Sequence, residues 1–210
     1  ETGFMSMNGT TDSGPVKMPV ALIDVLAAHQ LKEGLLLALL QKTKQKGKVV
    51  SVSLYDAAIC SLANQASNYL MEGHIPQRIG SLHPNIAPYG EIFQTKDQQL
   101  ITFAIGADQH FKKLVSFLGL SELATDSRFC NNMERVKNRD VLFELLAEKI
   151  LELACAKLIT ELMELNVPVA KIKSLDEVFT DPSALALVKE EKNNRQNTRR
   201  VSQIAFNFET

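Results

Sequence analysis

Pro19-Val20-Ala21-Leu22-Ile23-Asp24-Val25-Leu26-Ala27-Ala28 is an apolar run that breaks for one carboxylate and then resumes with helical spacing. Leu22, Ile23, Leu26, Leu31, Leu35, Leu36, Leu39 and Leu40 recur as the buried stripe of a helix expected to run to about Lys42. Asp24 then falls in or near its first turn, where the macrodipole favours a negative charge by roughly 0.3–1 kcal/mol. Buried without a partner, the same charge would be strongly destabilising. The carboxylate is therefore either a helix cap or a group that does chemistry. Lys42, Lys44, Lys46 and Lys48 around Gly47 place positive charge at the other end, the sign a helix C-terminus prefers.

Downstream, Val49-Val50-Ser51-Val52-Ser53 alternates and is β-branched, which predicts a short strand. Ser53 is placed to cap a second helix running through Leu54, Ala57, Ala58, Cys60, Leu62, Ala63 and Tyr69 to Met71. Strand followed by helix is the rhythm of an α/β layer. Gly73, Pro76, Gly80, Pro84 and Pro88 then interrupt any period and mark a linker. Beyond it the spacing predicts a hairpin of strands 91–95 and 100–104, helices over 108–118, 138–153 and 155–165, a strand over 168–172 and a short helix over 175–179. A strand over 200–208 follows a polar run, 189–199, read as a solvated hairpin or loop. The organisation expected is a part of a large domain over 1–75, a linker over 76–90, a smaller α/β domain over 91–187 and a return segment over 188–210.

The chain has 210 residues, 45% hydrophobic and 22% charged, with a net charge of −1, ordinary values for one or two globular domains. No apolar stretch reaches the roughly 18 residues of a membrane span. Near-zero net charge gives no global reason to expect a nucleic acid or a membrane as partner. Cys60, Cys130 and Cys155 are odd in number and form no CxxC pair, which argues against a zinc site or a disulfide framework. They point to a reducing compartment, and a cytoplasmic location is expected. The first residue is Glu, and residues 1–14 carry no element of their own before Pro15, so the chain is expected to start inside a larger protein. With the apolar face of residues 22–40 needing a partner sheet, it is not expected to fold alone.

Several segments, in order, carry a family resemblance. They are Gly3-Phe4-Met5-Ser6-Met7-Asn8-Gly9, Val20-Ala21-Leu22-Ile23-Asp24 and Lys48-Val49-Val50-Ser51-Val52-Ser53-Leu54-Tyr55-Asp56-Ala57. Further on come Gly80-Ser81-Leu82-His83-Pro84-Asn85-Ile86-Ala87-Pro88-Tyr89, Arg128-Phe129 with Asn132 and Arg135, Asn138-Arg139, and Asn166-Val167-Pro168 leading to Asp181-Pro182. Together they resemble the central and C-terminal part of a family III (CaiB/BaiF-type) CoA-transferase, the group that includes formyl-CoA transferase. The resemblance implies an α/β fold with a Rossmann-like large domain, here partial, a smaller α/β domain, and an interlocked homodimer. It implies coenzyme A, as acyl-CoA, and a carboxylic acid as substrates, with no metal. The family's contacts to CoA fall largely upstream of Glu1 and map to no residue here.

One catalytic role carries over. The family's nucleophilic aspartate falls on Asp24, whose carboxylate would attack an acyl-CoA thioester and pass through an aspartyl-CoA intermediate. That chemistry needs an ionised carboxylate near donors that stabilise a tetrahedral oxyanion, and a helix start has free N–H groups for the purpose. Taken without the resemblance, Asp24 reads as a cap. Gly80 and His83, in the irregular linker, are the candidates for substrate binding. His83 equally suits a hinge residue hydrogen-bonded to the backbone. His29 invites an acid/base reading because the racemase branch pairs a His with an Asp. It lies five positions beyond Asp24, off the same helix face, and reads as a packed or hydrogen-bonded side chain. Arg128, Arg135 and Arg139 suit structural salt bridges better than phosphate binding.

The sequence departs from the family pattern in places. Ala28 stands where a glycine is common, Lys44-Gln45-Lys46-Gly47-Lys48 replaces a Thr-Gly-x-Gly-Gln turn, and residues 79–88 replace a glycine-rich loop. Val169-Ala170-Lys171-Ile172 replaces Cys-Gly-Pro-Ile, so Lys171 is expected to change the polarity of a pocket. Two other functions stay open. One is an acyl-CoA racemase of the same fold, against which Val25-Leu26-Ala27-Ala28 stands where that branch shows glycines. The other is a non-catalytic CoA-binding or dimer-forming module.

Overall fold

The computed structural model describes residues 1–41, 47–193, 196–202 and 204–206. Lys42, Lys44 and Lys46, read as the basic end of the first long helix, lie outside the described residues. The chain divides into two compact units, Glu1–Asn85 and Ile86–Thr210.

The first unit is helical: α1 (Phe4–Met7), α2 (Leu22–Leu40), α3 (Leu54–Cys60) and α4 (Ala63–Glu72). α1 is an element that the turn-rich sequence of residues 1–14 did not announce. α2 starts behind Ala21, which makes no side-chain cap bond. Asp24 is its third residue and does not cap it. No strand forms at residues 49–53 among the described residues. Alternation supplies a face but not a neighbouring edge to pair with, and Val50 instead packs on α2. There its Cγ1 lies 2.6 Å from where a Cβ on Gly34 would stand, so the approach depends on glycine.

Ser53 caps α3 as its sequence predicts, its side chain accepting from the N–H of Asp56 at 2.9 Å. The expected continuous helix to Met71 breaks after Cys60. The Ser61 hydroxyl donates back to the Ala57 carbonyl at 2.6 Å, the N–H groups of Ser61 and Leu62 close tight turns, and Ala63 adopts φ 49° before α4 begins. α2 packs against α3. Among the described residues of this unit only Ala27, Ala57 and Ala58 are buried. Leu35, Leu36, Leu37, Leu39 and Leu40 are exposed, Leu40 by 84%. A helix this apolar with so little buried has no core of its own, which is the physical ground for expecting that it does not fold in isolation.

The second unit has the core. Strands β1 (Tyr89–Gln94), β2 (Leu100–Ala104) and β3 (Val169–Lys171) form an antiparallel sheet in that order, with Phe103 opposite Val169 and Ile101 opposite Lys171. A register shift lies between Tyr89 and Ile92. Three helices, α5 (Asp108–Phe117), α7 (Arg139–Ile150) and α8 (Cys155–Glu164), pack onto the same core. Their buried residues fall at helical spacing: Phe111, Leu114 and Val115; Leu142, Leu146 and Ile150; Cys155, Leu158 and Leu162. Phe93 meets Phe103 edge-on at 5.4 Å and stacks on Phe143 at 4.9 Å.

A short α6 (Asn132–Lys137) precedes α7, and α9 (Leu175–Val178) and α10 (Pro182–Leu185) follow the sheet. The polar run then forms a hairpin, β4 (Val188–Asn193) with β5 (Gln196–Val201). The strand expected over 200–208 thus ends at Val201, and its positions 203, 207 and 208 lie outside the described residues.

Candidate functional site

Asp24 is exposed at the first turn of α2. Its carboxylate makes no hydrogen bond or ion pair with any described residue. The N–H of Leu22 goes to the Val20 carbonyl and that of Val25 to the Ala21 carbonyl. Those of Ile23 and Asp24, between them, donate to no described acceptor. The carboxylate thus stands beside two backbone donors that helix geometry leaves without partners. His29, one turn and more along, is exposed, and its Nδ1 lies 3.2 Å from the Lys32 ammonium.

The linker residues are held differently. Gly80 has φ +68°, a left-handed conformation suited to glycine, and donates its N–H to the Gly9 carbonyl at 2.8 Å. Two residues earlier, Arg78 donates through Nη1 to the Ser6 carbonyl at 3.1 Å. The linker is in this way sewn to residues 6–9. His83 is half-buried, and its Nδ1 accepts the Asn85 N–H at 3.1 Å, so the neutral ring carries its proton on Nε2. Asn85 is in turn held by α4, accepting from Asn68 at 3.0 Å and Asn64 at 3.3 Å. The structure therefore ties Gly80 to the N-terminal segment and His83 to Asn85, and it brings neither into a hydrogen bond with Asp24. The Arg78 and asparagine contacts escaped sequence reasoning. For Arg78 and Asn85 the only signal was closeness to Gly80 and His83 in the chain, and Asn64 and Asn68, 21 and 17 residues before Asn85, carried none.

The arginines are structural. Arg128 pairs with Asp126 at 2.7 Å, which holds that carboxyl below the usual range. Arg135 is fully buried and donates to the Ala87 carbonyl at 2.9 Å, the Phe129 carbonyl at 3.2 Å and Asp108 at 2.7 Å, its guanidinium 4.5 Å from the Phe111 ring centre. Arg139 donates to the Ile86 carbonyl at 2.8 Å and stands 3.5 Å from Glu91. Burial pushes the Glu91 carboxyl above its ordinary range, with Arg139 opposing. Lys171 does not stand as a free charge. It is paired with Glu177, whose hydrogen bond raises the lysine's pKa.

Each unit has a cavity lined by described residues. One, of about 310 Å³, lies in the first unit among Met7, Ile59, Leu62, Tyr69, Leu70 and Ile75. The other, of about 430 Å³, is lined by Phe179, Leu185, Val188, Arg199, Arg200 and Val201. Its two arginines are paired with Glu190 and Glu191. Neither is lined by Asp24, Gly80 or His83. Among the described residues no cluster of His, Cys, Asp or Glu is placed to hold a metal ion. None of their helices is long and apolar enough to cross a membrane.

The family model for CoA-transferase family III matches residues 1–210. The chain belongs to this family. Its relatives include a succinate–glutarate CoA-transferase of Agrobacterium fabrum, 34% identical over 186 residues, which cover 88% of this chain and 46% of that one. A succinyl-CoA–D-citramalate CoA-transferase of Chloroflexus aurantiacus is 30% identical over 185 residues, 88% of this chain and 46% of its own length. Among solved structures, a CaiB/BaiF family protein from Brucella suis superposes with a TM-score of 0.70 at 35% identity, over 98% of this chain and 54% of that one. The family III chain spans about half the length of the curated relatives it matches. The mixed α/β architecture is that of the CaiB/BaiF proteins.

Proposed function

We propose that the protein moves coenzyme A from an acyl-CoA to a carboxylic acid, with Asp24 as the covalent nucleophile. The observation that carries this reading is an exposed carboxylate in the first turn of α2, beside two unpartnered N–H groups, in a chain matched to family III along its whole length. A carboxylate oxygen of Asp24 adds to the thioester carbonyl, and the C–S bond breaks to give a mixed anhydride and the CoA thiolate. The thiolate then attacks the Asp24 carbonyl, releasing the donor acid and leaving an aspartyl-CoA thioester. The acceptor carboxylate repeats the two steps in reverse order, which returns CoA to an acyl group and restores Asp24. The N–H groups of Ile23 and Asp24 are the nearest candidates for the oxyanion.

The curated relatives are each named as transferases, and several names carry succinate, glutarate, citramalate or malate. We therefore place this chain's substrates among short dicarboxylic acids and their CoA thioesters. These names also favour the transferase over the racemase, as does the position of His29 beside Lys32. Gly80 and His83 are proposed to line the substrate site, and the family's interlocked homodimer, in a cytoplasmic setting, is proposed as the working form. Incubating the full-length protein with succinyl-CoA and trapping with hydroxylamine or borohydride should modify Asp24, as read by mass spectrometry. No adduct, with exchange of an α-proton into deuterated water, would point to the racemase. Absence of both signals would leave only the binding module.

A further inference from the structure

We propose that the β1–β2 turn is a clasp on helix α8. In this reading Asp97 serves as the N-cap of that helix from 58 positions away, and opening of the contact, short of unfolding the unit, governs access to the Cys155 thiol. The helix needs a cap from elsewhere, because Ala154 stands at its N-cap position and offers no side-chain acceptor. Asp97 takes that place, its Oδ1 accepting the N–H of Cys155, the first residue of the helix, at 2.9 Å. The neighbouring Lys96 N–H donates to the Leu153 carbonyl at 2.9 Å, so the turn holds both sides of the corner between α7 and α8. The hydroxyl of Thr95, a fully buried residue, donates to the same Oδ1 at 2.7 Å and fixes the carboxylate in position.

The contact is strong but narrow. Lys96, Asp97 and Gln98 are exposed, so the tip of the turn adds little apolar burial to these bonds. Cys155 behind it is 4% exposed and belongs to the core. Burial pushes its thiol above the ordinary range; the Asp97 charge adds to this and Lys171 of β3 opposes it. Lys171 is itself paired with Glu177 of α9. A protonated thiol under a closed turn is inert, since attack needs both the thiolate and access. Lifting the turn takes away the cap carboxylate and uncovers the sulfur, while the strands and helices keep their buried contacts. Openings below the global level involve such pieces, held by exposed hydrogen bonds and few apolar contacts.

Iodoacetamide labelling of the native full-length protein, read peptide by peptide by mass spectrometry, tests the clasp without using activity. Its failure is thus distinct from a failure of the transferase reading. Cys60 and Cys130 are exposed, serve as internal controls and should react at the same rate in every variant. Asp97→Ala should speed labelling of Cys155 by about tenfold, the effect of one lost N-cap, while Asp97→Asn, which keeps an acceptor, should stay within about threefold of wild type. In the wild type, the opening that exposes Cys155 should depend on urea at most about half as steeply as exchange of the Leu114 and Leu146 amides, because it uncovers one turn and not the core. That arm uses the unaltered chain and decides the matter even if a variant does not fold. Equal urea slopes, Cys155 labelling in Asp97→Ala within about twofold of wild type, or Asp97→Asn as fast as Asp97→Ala would overturn the clasp.

Discussion

Replacing Arg135 by Met is the sharpest test of how the second unit is held together. The guanidinium is 0% exposed and serves two carbonyls and one carboxylate. Methionine keeps most of the volume, so the cavity penalty is small. The Ala87 and Phe129 carbonyls are left without donors in a dry site, at about 1–3 kcal/mol each. Loss of the contact over Phe111 adds about 0.5–2 kcal/mol. The Asp108 pair contributes less, because that carboxylate is about half exposed to solvent. The sum centres near 5 kcal/mol, or several thousandfold in the opening equilibrium. Hydrogen exchange at the α7 core amides, Leu142, Leu146 and Ile150, reads this without requiring the whole protein to unfold in one step. Arg128→Met, which removes an exposed pair, is the control and should leave the same amides unchanged. A loss below about 1 kcal/mol for Arg135→Met would refute the reasoning, since it would mean that the carbonyls find other donors.

Gly34→Ala should lower the melting temperature, because a Cβ 2.6 Å from Val50 costs about 1–3 kcal/mol of overpacking against a helix-propensity gain of about 1. Val50→Ala in the same chain should recover the loss, and a stabilised single variant would contradict the packing described. Asp97 accepts from the Thr95 hydroxyl at 2.7 Å and the Cys155 N–H at 2.9 Å, and these bonds hold its carboxyl below the usual range. Its contribution to stability is therefore present above the unfolded value of about 3.9 and lost as pH falls through the lower folded value. The melting gap between wild type and Asp97→Ala should be widest near neutrality and close in acid, and a gap that widens in acid would reverse the sign. His29→Gln should leave turnover within about twofold, whereas a fall of 10²-fold or more would restore an acid/base role.

The second unit was largely legible from sequence because its signals are complete in themselves. Phe111, Leu114, Val115 and Leu118 define a helix face without knowing what lies opposite, and Thr95 to Gln99 punctuate a hairpin between two alternating runs. The first unit was less so. Residues 49–53 have the composition of a strand but no edge to pair with, and the break after Cys60 follows from one hydroxyl, Ser61, turning back on Ala57. α6 has six residues, too few for a period to register. Burial of Arg135 could not be read from a charged residue in a polar stretch, since only the fold places three acceptors around it. For the site, the first-turn position of Asp24 was legible and so was the special backbone at Gly80. How Arg78 and the three asparagines hold the linker depends on distant parts of the chain.

The central claim is that the Asp24 carboxylate forms a covalent bond to substrate. With succinyl-CoA and the full-length protein, borohydride reduction or hydroxylamine capture followed by peptide mass spectrometry should mark Asp24, and Asp24→Asn should abolish both the mark and CoA transfer. Undiminished transfer by the Asp24→Asn protein, or a mark on another residue in the wild type, would contradict the account.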